Sequence, residues 1–164
     1  MSALNALLDD NGTITTAGGE LIHCDPNTIF ILTTNPSYRG CRSMNEAVIS
    51  RMDMVYEIDN LDAATLMKRG MAATGFKDQA LARVMAETVL EIDAWLENMG
   101  YSGGVCGPRE YINWLRHTKK TKDPIKSIVN TVLTKASLNA EVREDIMNAV
   151  VKLKLTEDVL PRAA

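Results

Sequence analysis

The chain has few of the residues that most often announce a chemistry. Its 164 residues include only two histidines and three cysteines. Cys24, Cys41 and Cys106 are far apart, odd in number and form no C-x-x-C pair. A structural zinc site needs closer ligand pairs, so free thiols in a reducing compartment are the expectation, with no bound metal. No apolar run approaches the ~20 residues of a membrane span. Met1-Ser2-Ala3-Leu4 lacks the basic-then-apolar pattern of a secretory leader. A cytoplasmic protein without a membrane partner is therefore expected. Aromatic residues make up 5% against nine methionines, so any core is mostly aliphatic. The formal net charge of −3 weighs against a dedicated nucleic-acid-binding domain, which is usually basic on one face. No G-x-x-x-x-G-K-[ST] segment occurs, so the chain lacks a phosphate-cradling loop. No apolar strand ends in Asp-Glu to hold magnesium either.

What is present divides into two halves. Hydrophobic residues make up 46%, enough for a packed core. The first half reads as mixed α/β. Residues 3–8 look like a helix tail, and Asn11-Gly12 is a turn signal. Residues 13–16 and 20–24 are strand-like around Ala17-Gly18-Gly19, which predicts a β-hairpin. Thr28-Ile29-Phe30-Ile31-Leu32-Thr33 reads as a strand covered on both faces in a parallel sheet. A short helix over residues 46–51 and a second strand over 54–58 follow.

From Asn60 onward the period becomes helical. Asp62 can cap a helix that stops at Gly75. Leu81, Val84, Met85, Thr88, Ile92, Trp95, Leu96 and Met99 form the stripe of a long helix ended by Gly100. Gly107-Pro108 and Asp123-Pro124 each open a further helix with proline in the first turn. Ile125, Ile128, Val129, Val132, Leu133 and Ala136 are the expected inner face of one. Asn139 can cap a last helix with Val142, Ile146, Val150 and Leu153 inward. Five amphipathic helices with short connections predict a small helical domain. The expected domains are residues 1–59 and 60–164.

Three polar positions could carry chemistry. Asn35 ends the buried strand, where α/β sheets bind ligands. Its blander reading is a turn residue before Pro36. Arg51 ends the short helix, where an arginine is commonly a solvated charge complementing the helix dipole. Arg109 sits in the first turn of its helix, where a cation opposes the dipole and a purely structural role is less natural. His23 and the run Lys119-Lys120-Thr121-Lys122 read as a strand residue and a solvated helix end.

Thr33-Thr34-Asn35-Pro36, then Ser50-Arg51, then Gly107-Pro108-Arg109 appear in one order with the hairpin and helices between them. That order resembles the sensor-1, arginine-finger and lid region of AAA+ ATPases, most closely the MoxR and dynein-related branch. The resemblance covers about residues 3–116; the last two helices match only as generic lid helices. The hairpin looks like the pre-sensor-1 hairpin of that group, and residues 40–47 look like its segment leading to the finger.

The resemblance implies the C-terminal half of a truncated P-loop module: an α/β fragment with a β-hairpin and two core strands, then an all-α lid bundle. It implies Asn35 as sensor 1, Arg109 as sensor 2 in the same subunit, and Arg51 as a finger reaching the neighbouring subunit's nucleotide. An arginine suits that task because its planar fork stays charged and stabilises a transferred phosphoryl group. ATP and Mg2+ would be cofactors of the intact protein, a homo-oligomeric ring expected to be a hexamer, acting on a protein substrate. Without its phosphate loop, this chain alone is expected to be inactive. Two rivals stand beside this reading. A DNA-remodelling ATPase should carry Lys or Arg in its hairpin, and residues 13–27 contain none. The other is a non-catalytic α+β interaction module.

Overall fold

The computed structural model describes residues 2–9, 12–34, 45–101 and 104–156. It is mostly helical, with one small antiparallel sheet. The chain divides into two compact units, Met1–Asp59 and Asn60–Ala164.

The first unit contains helix α1 (Ser2–Leu7), strands β1 (Thr13–Thr15) and β2 (Leu21–His23), and helix α2 (Glu46–Ile49). The strands form the expected hairpin, with Thr13 opposite His23 and Ile14 opposite Ile22. Gly12 closes its open end in a left-handed conformation at φ 48°. Its N–H donates to the Asp9 carbonyl at 2.8 Å, and its own carbonyl accepts from Cys24 N–H at 2.7 Å. Asn45 caps α2, accepting from Ala47 N–H at 2.9 Å. Val48 is the one fully buried apolar side chain of this unit among the described residues.

The two expected core strands are absent. Residues 28–34 and 54–58 adopt no regular element, and the only sheet among the described residues is the two-stranded hairpin. Ile29 and Ile31 are 84% and 83% exposed, and Ile58 is 90% exposed. The cause is physical. A strand satisfies its backbone only through neighbours, and a parallel strand covered on both faces needs two of them. The hairpin strands pair only with each other, and neither stretch adds to their outer edges.

The second unit holds the helices α3 (Ala63–Thr74), α4 (Gln79–Asn98) and α5 (Pro108–Thr121). Two interrupted rods follow. In the first, α6 (Pro124–Ile128) passes through a π-helical turn at Val129–Leu133 into α7 (Thr134–Ala136). In the second, α8 (Ala140–Ile146) passes through a π turn at Met147–Val151 into α9 (Lys152–Lys154). Local chemistry sets the boundaries. Asp62, Asp78, Asp123 and Asn139 cap their helices through side-chain oxygens. Gly75 ends α3 at φ 62°.

One core joins all five rods. Leu66, Met85, Ile92, Tyr111, Trp114, Leu115, Ile128 and Ile146 are fully buried in it. The Tyr111 hydroxyl donates to the Ala82 carbonyl at 2.8 Å, tying α5 to α4. The Trp114 indole N–H donates to the Pro124 carbonyl at 2.8 Å, tying α5 to the start of α6. Gly70 lets α3 approach α5; a Cβ there would fall on the Tyr111 ring and 2.7 Å from Leu115 Cδ1.

The inner faces depart from simple helical periodicity at three places. On α4, Ala82, Ala86 and Val89 are buried while Met99 is 58% exposed, because the helix ends one residue before Met99. Val129 and Leu153, both expected inside, are exposed. Each lies in or just after a π turn. A π turn inserts one extra residue, which rotates everything after it by about 100° relative to an α-helix. That rotation brings Val151 and Leu155 inward in place of Leu153, and keeps Leu133 and Ala136 in line with Ile128.

Candidate functional site

Arg51 has a defined environment. The turn after α2 folds its side chain back along its own helix, where Nη1 donates to the Ala47 carbonyl at 2.7 Å. Its Nε faces Asp9 Oδ1, just beyond α1, at 3.5 Å. This is an ion-pair contact rather than a hydrogen bond, and Nε has no hydrogen-bond partner among the described residues. A polar recess of about 340 Å³ surrounds the pair, lined also by Leu8, Ser50, Met52 and Asp53. Asp9 lies just beyond the end of α1. Its role as partner to Arg51 is a long-range pairing that no local pattern signals.

The chemistry of this recess is narrow. One guanidinium is partly neutralised by Asp9, and a second carboxylate residue, Asp53, lines the same space. A phosphate oxygen entering here would have to displace Asp9 and approach Asp53. As arranged, these side chains do not by themselves fit the phosphates of a nucleotide.

Arg109 lies in the other unit, on the first turn of α5 between Pro108 and Glu110. It is exposed and has no ion-pair or hydrogen-bond partner among the described residues. Its neighbour Glu110 is buried and paired with Lys135, Nζ to Oε1 at 3.2 Å. The acid at the helix start is thus used structurally while the base is left facing solvent. Asn35 lies outside the described residues, as do residues 40–44 of the segment leading to Arg51.

The other chemistry-bearing groups are accounted for structurally. Burial, reinforced by Asp93 and Glu110, pushes the Cys106 thiol far above its ordinary value, so it stays protonated and unreactive. Burial likewise raises the Tyr111 phenol and the Asp93 carboxyl, the latter helped by Glu97. His23 is an exposed strand residue. Lys119 donates to the Thr74 carbonyl at 2.9 Å and so completes the end of α3. Among the described residues no three His, Cys, Asp or Glu side chains converge as metal ligands, and no helix is long and apolar enough to cross a membrane. No family model, no curated protein and no solved structure matches the chain.

Proposed function

We propose that the chain is the sensor and lid part of a MoxR or dynein-related AAA+ ATPase, whose intact form couples ATP hydrolysis to remodelling or maturation of a partner protein complex. The carrying observation is the pairing of an unfinished unit with a finished one. Residues 28–34 and 54–58 expose apolar side chains beside a hairpin, whereas the helical unit from Asn60 on is closed around its own core. In this reading the exposed stretches belong to a sheet completed by further strands, and the helical unit is the lid. Arg109, exposed at the first turn of α5, supports its assignment as sensor 2.

In this reading Asn35 is sensor 1 and Arg51 acts on the neighbouring subunit of a hexameric ring. ATP and Mg2+ belong to the intact cytoplasmic protein. The Arg51–Asp9 pair must open before Arg51 can reach a neighbour. A protein is the favoured substrate over DNA, because residues 13–27 carry no lysine or arginine.

A second reading has its own support. Arg51 is already engaged within its own unit, and the exposed Ile29, Ile31, Met54 and Val55 form apolar surface. Both features suit a non-catalytic α+β module that binds a partner. Hydrolysis by the full gene product separates the two. The ATPase reading expects turnover that Arg51→Ala removes. It also expects partial recovery when that variant is mixed with one disabled in its phosphate-binding lysine. A full-length product that neither binds nor hydrolyses ATP establishes the interaction module instead.

A further inference from the structure

The helical unit carries a basic groove that the ATPase reading does not use. It runs between α5 and the rod formed by α6, its π turn and α7, with a volume of about 300 Å³. On α5, Asn113 lies three and four residues before Arg116 and His117, and Lys120 lies four and three residues after them. Residues so spaced share one helix face. The opposite face, with Tyr111, Trp114, Leu115 and Thr118, is the buried one. Asn130 and Thr131 of the π turn line the far wall, with Lys135 of α7.

The charges of this groove are largely uncompensated. Lys135 is offset by Glu110, but Arg116 and Lys120 have no acidic partner among the described residues. No carboxylate among the described residues lines the groove. This concentration of cations stands out in a chain of net charge −3. His117 is held in place: its Nδ1 lies 3.1 Å from Ser127 Oγ, which is 2.7 Å from Thr121 Oγ1. Ser127 is fully buried, so this chain of hydrogen bonds anchors the imidazole and leaves Nε2 as its unpartnered polar atom among the described residues.

We propose that this groove docks an acidic, extended segment of a partner protein, with carboxylates at alternate positions meeting Arg116 and Lys120. The spacing favours it. Side chains four residues apart on a helix lie about 5–6 Å apart at Cβ. Alternate residues of an extended chain lie about 6.5–7 Å apart, on one side of the chain. The rims carry the Asn113 and Asn130 amides, which donate and accept as a peptide backbone requires, and the Thr131 hydroxyl, which donates to the Ser127 carbonyl at 2.7 Å and can still accept. Among the described residues no Phe, Tyr or Trp lines the groove to stack a base, and its one ring, the His117 imidazole, is tied to Ser127, which disfavours single-stranded nucleic acid. The inference stands independently of any ATPase activity.

The test is fluorescence anisotropy with a labelled peptide of alternating glutamate and serine, added to the complete chain. Binding that weakens with added salt is expected. The double variant Arg116→Glu, Lys120→Glu should lose affinity about tenfold or more, since it sets like charges against the peptide. Lys77→Glu, Lys152→Glu makes the same change in net charge on exposed positions outside the groove, and should change affinity less than about twofold. Circular dichroism checks that both variants remain helical. Equal losses in the two double variants, no binding by the unaltered chain, or tighter binding of an oligothymidine of equal charge would each overturn the proposal.

Discussion

Ile29, Ile31 and Val55 are as apolar as Ile92, Ile128 and Ile146, yet the first three are 84%, 83% and 70% exposed and the last three are fully buried. What differs is the backbone. A helix satisfies its own N–H and C=O groups, so an amphipathic helix needs only another apolar stripe to bury against. The helices from Asn60 onward find such stripes within the same unit. A strand must borrow hydrogen bonds from neighbours before its side chains can be covered. Residues 28–34 and 54–58 have no neighbour among the described residues, and their apolar side chains stay outside.

The contrast breaks most readily with one type of substitution made in both regions. Trp114→Ala should lower the unfolding free energy of the helical unit by about 3–5 kcal/mol, through the cavity and the lost bond to Pro124. Ile31→Ala, at a side chain already in water, should change it by less than ~0.5 kcal/mol. Urea titration followed by helical circular dichroism measures both. A loss for Ile31→Ala comparable to that of Trp114→Ala would mean residues 28–34 belong to the same cooperative core. The same exposed surface should drive self-association, so light scattering should report a smaller mean mass for Ile29→Asp, Ile31→Asp than for the unaltered chain.

Gly70 probes how tightly the packed unit is fitted. Alanine there would gain up to ~1 kcal/mol of helix propensity. Against this, its Cβ would press on Leu115 and on a Tyr111 ring that the Ala82 carbonyl holds in place. Overpacking costs about 1–3 kcal/mol and outweighs the gain. Thermal melts should therefore show Gly70→Ala less stable by about 1 kcal/mol. A stabilised variant would mean that α3 and α5 are free to separate.

Tyr111→Phe should cost about 1 kcal/mol at neutral pH, for the lost bond to the Ala82 carbonyl. It should also change the alkaline limb. Burial raises the phenol above its ordinary value of 10.0, so the folded chain holds this proton more tightly than the unfolded one. That contribution is complete below the unfolded value and declines as pH rises past it. The variant should lose less stability above pH ~10 than the unaltered chain. A residual decline remains from Cys106, whose thiol is raised from 9.0 for the same reason. Identical alkaline slopes in denaturant titrations at several pH values would remove Tyr111 from this account.

The same division explains what the sequence reveals. Asp62, Gly75, Pro108, Asp123 and Asn139 mark helix ends because capping is a contact within a few residues, and all five act as expected. The hairpin is equally local, fixed by Ala17-Gly18-Gly19 between two short strands. Leu153 is misplaced by periodicity because it follows a π turn whose extra residue the apolar pattern does not mark, whereas Val129 opens its π turn and nothing in the structure explains its exposure. The strands expected at 28–33 and 54–58 depend on partners from elsewhere, so their pattern is visible but their formation is not dictated by it. In the candidate site, the helix that delivers Arg51 is legible, capped by Asn45. Its pairing with Asp9 is not, since it joins the two ends of the first unit.

That pairing gives the smallest expected effect on stability and the sharpest use of the comparison. Asp9 is 55% exposed and Arg51 31%, so solvent screens their attraction. Pairs of this kind contribute about 0–1 kcal/mol. A double-mutant cycle with Asp9→Asn and Arg51→Gln should give a coupling energy in that range, against several kcal/mol for Trp114→Ala in the packed unit. In the intact protein the proposed finger role leads to the opposite ranking. There, Arg51→Gln should lower hydrolysis by about a thousandfold or more, as loss of a transition-state arginine does. Asp9→Asn should leave it equal or faster, because Arg51 would be released from its resting partner. If Arg51→Gln unfolds the first unit, or if both variants lower hydrolysis equally, Arg51 is a structural strut of that unit and not a group held ready for a neighbouring subunit.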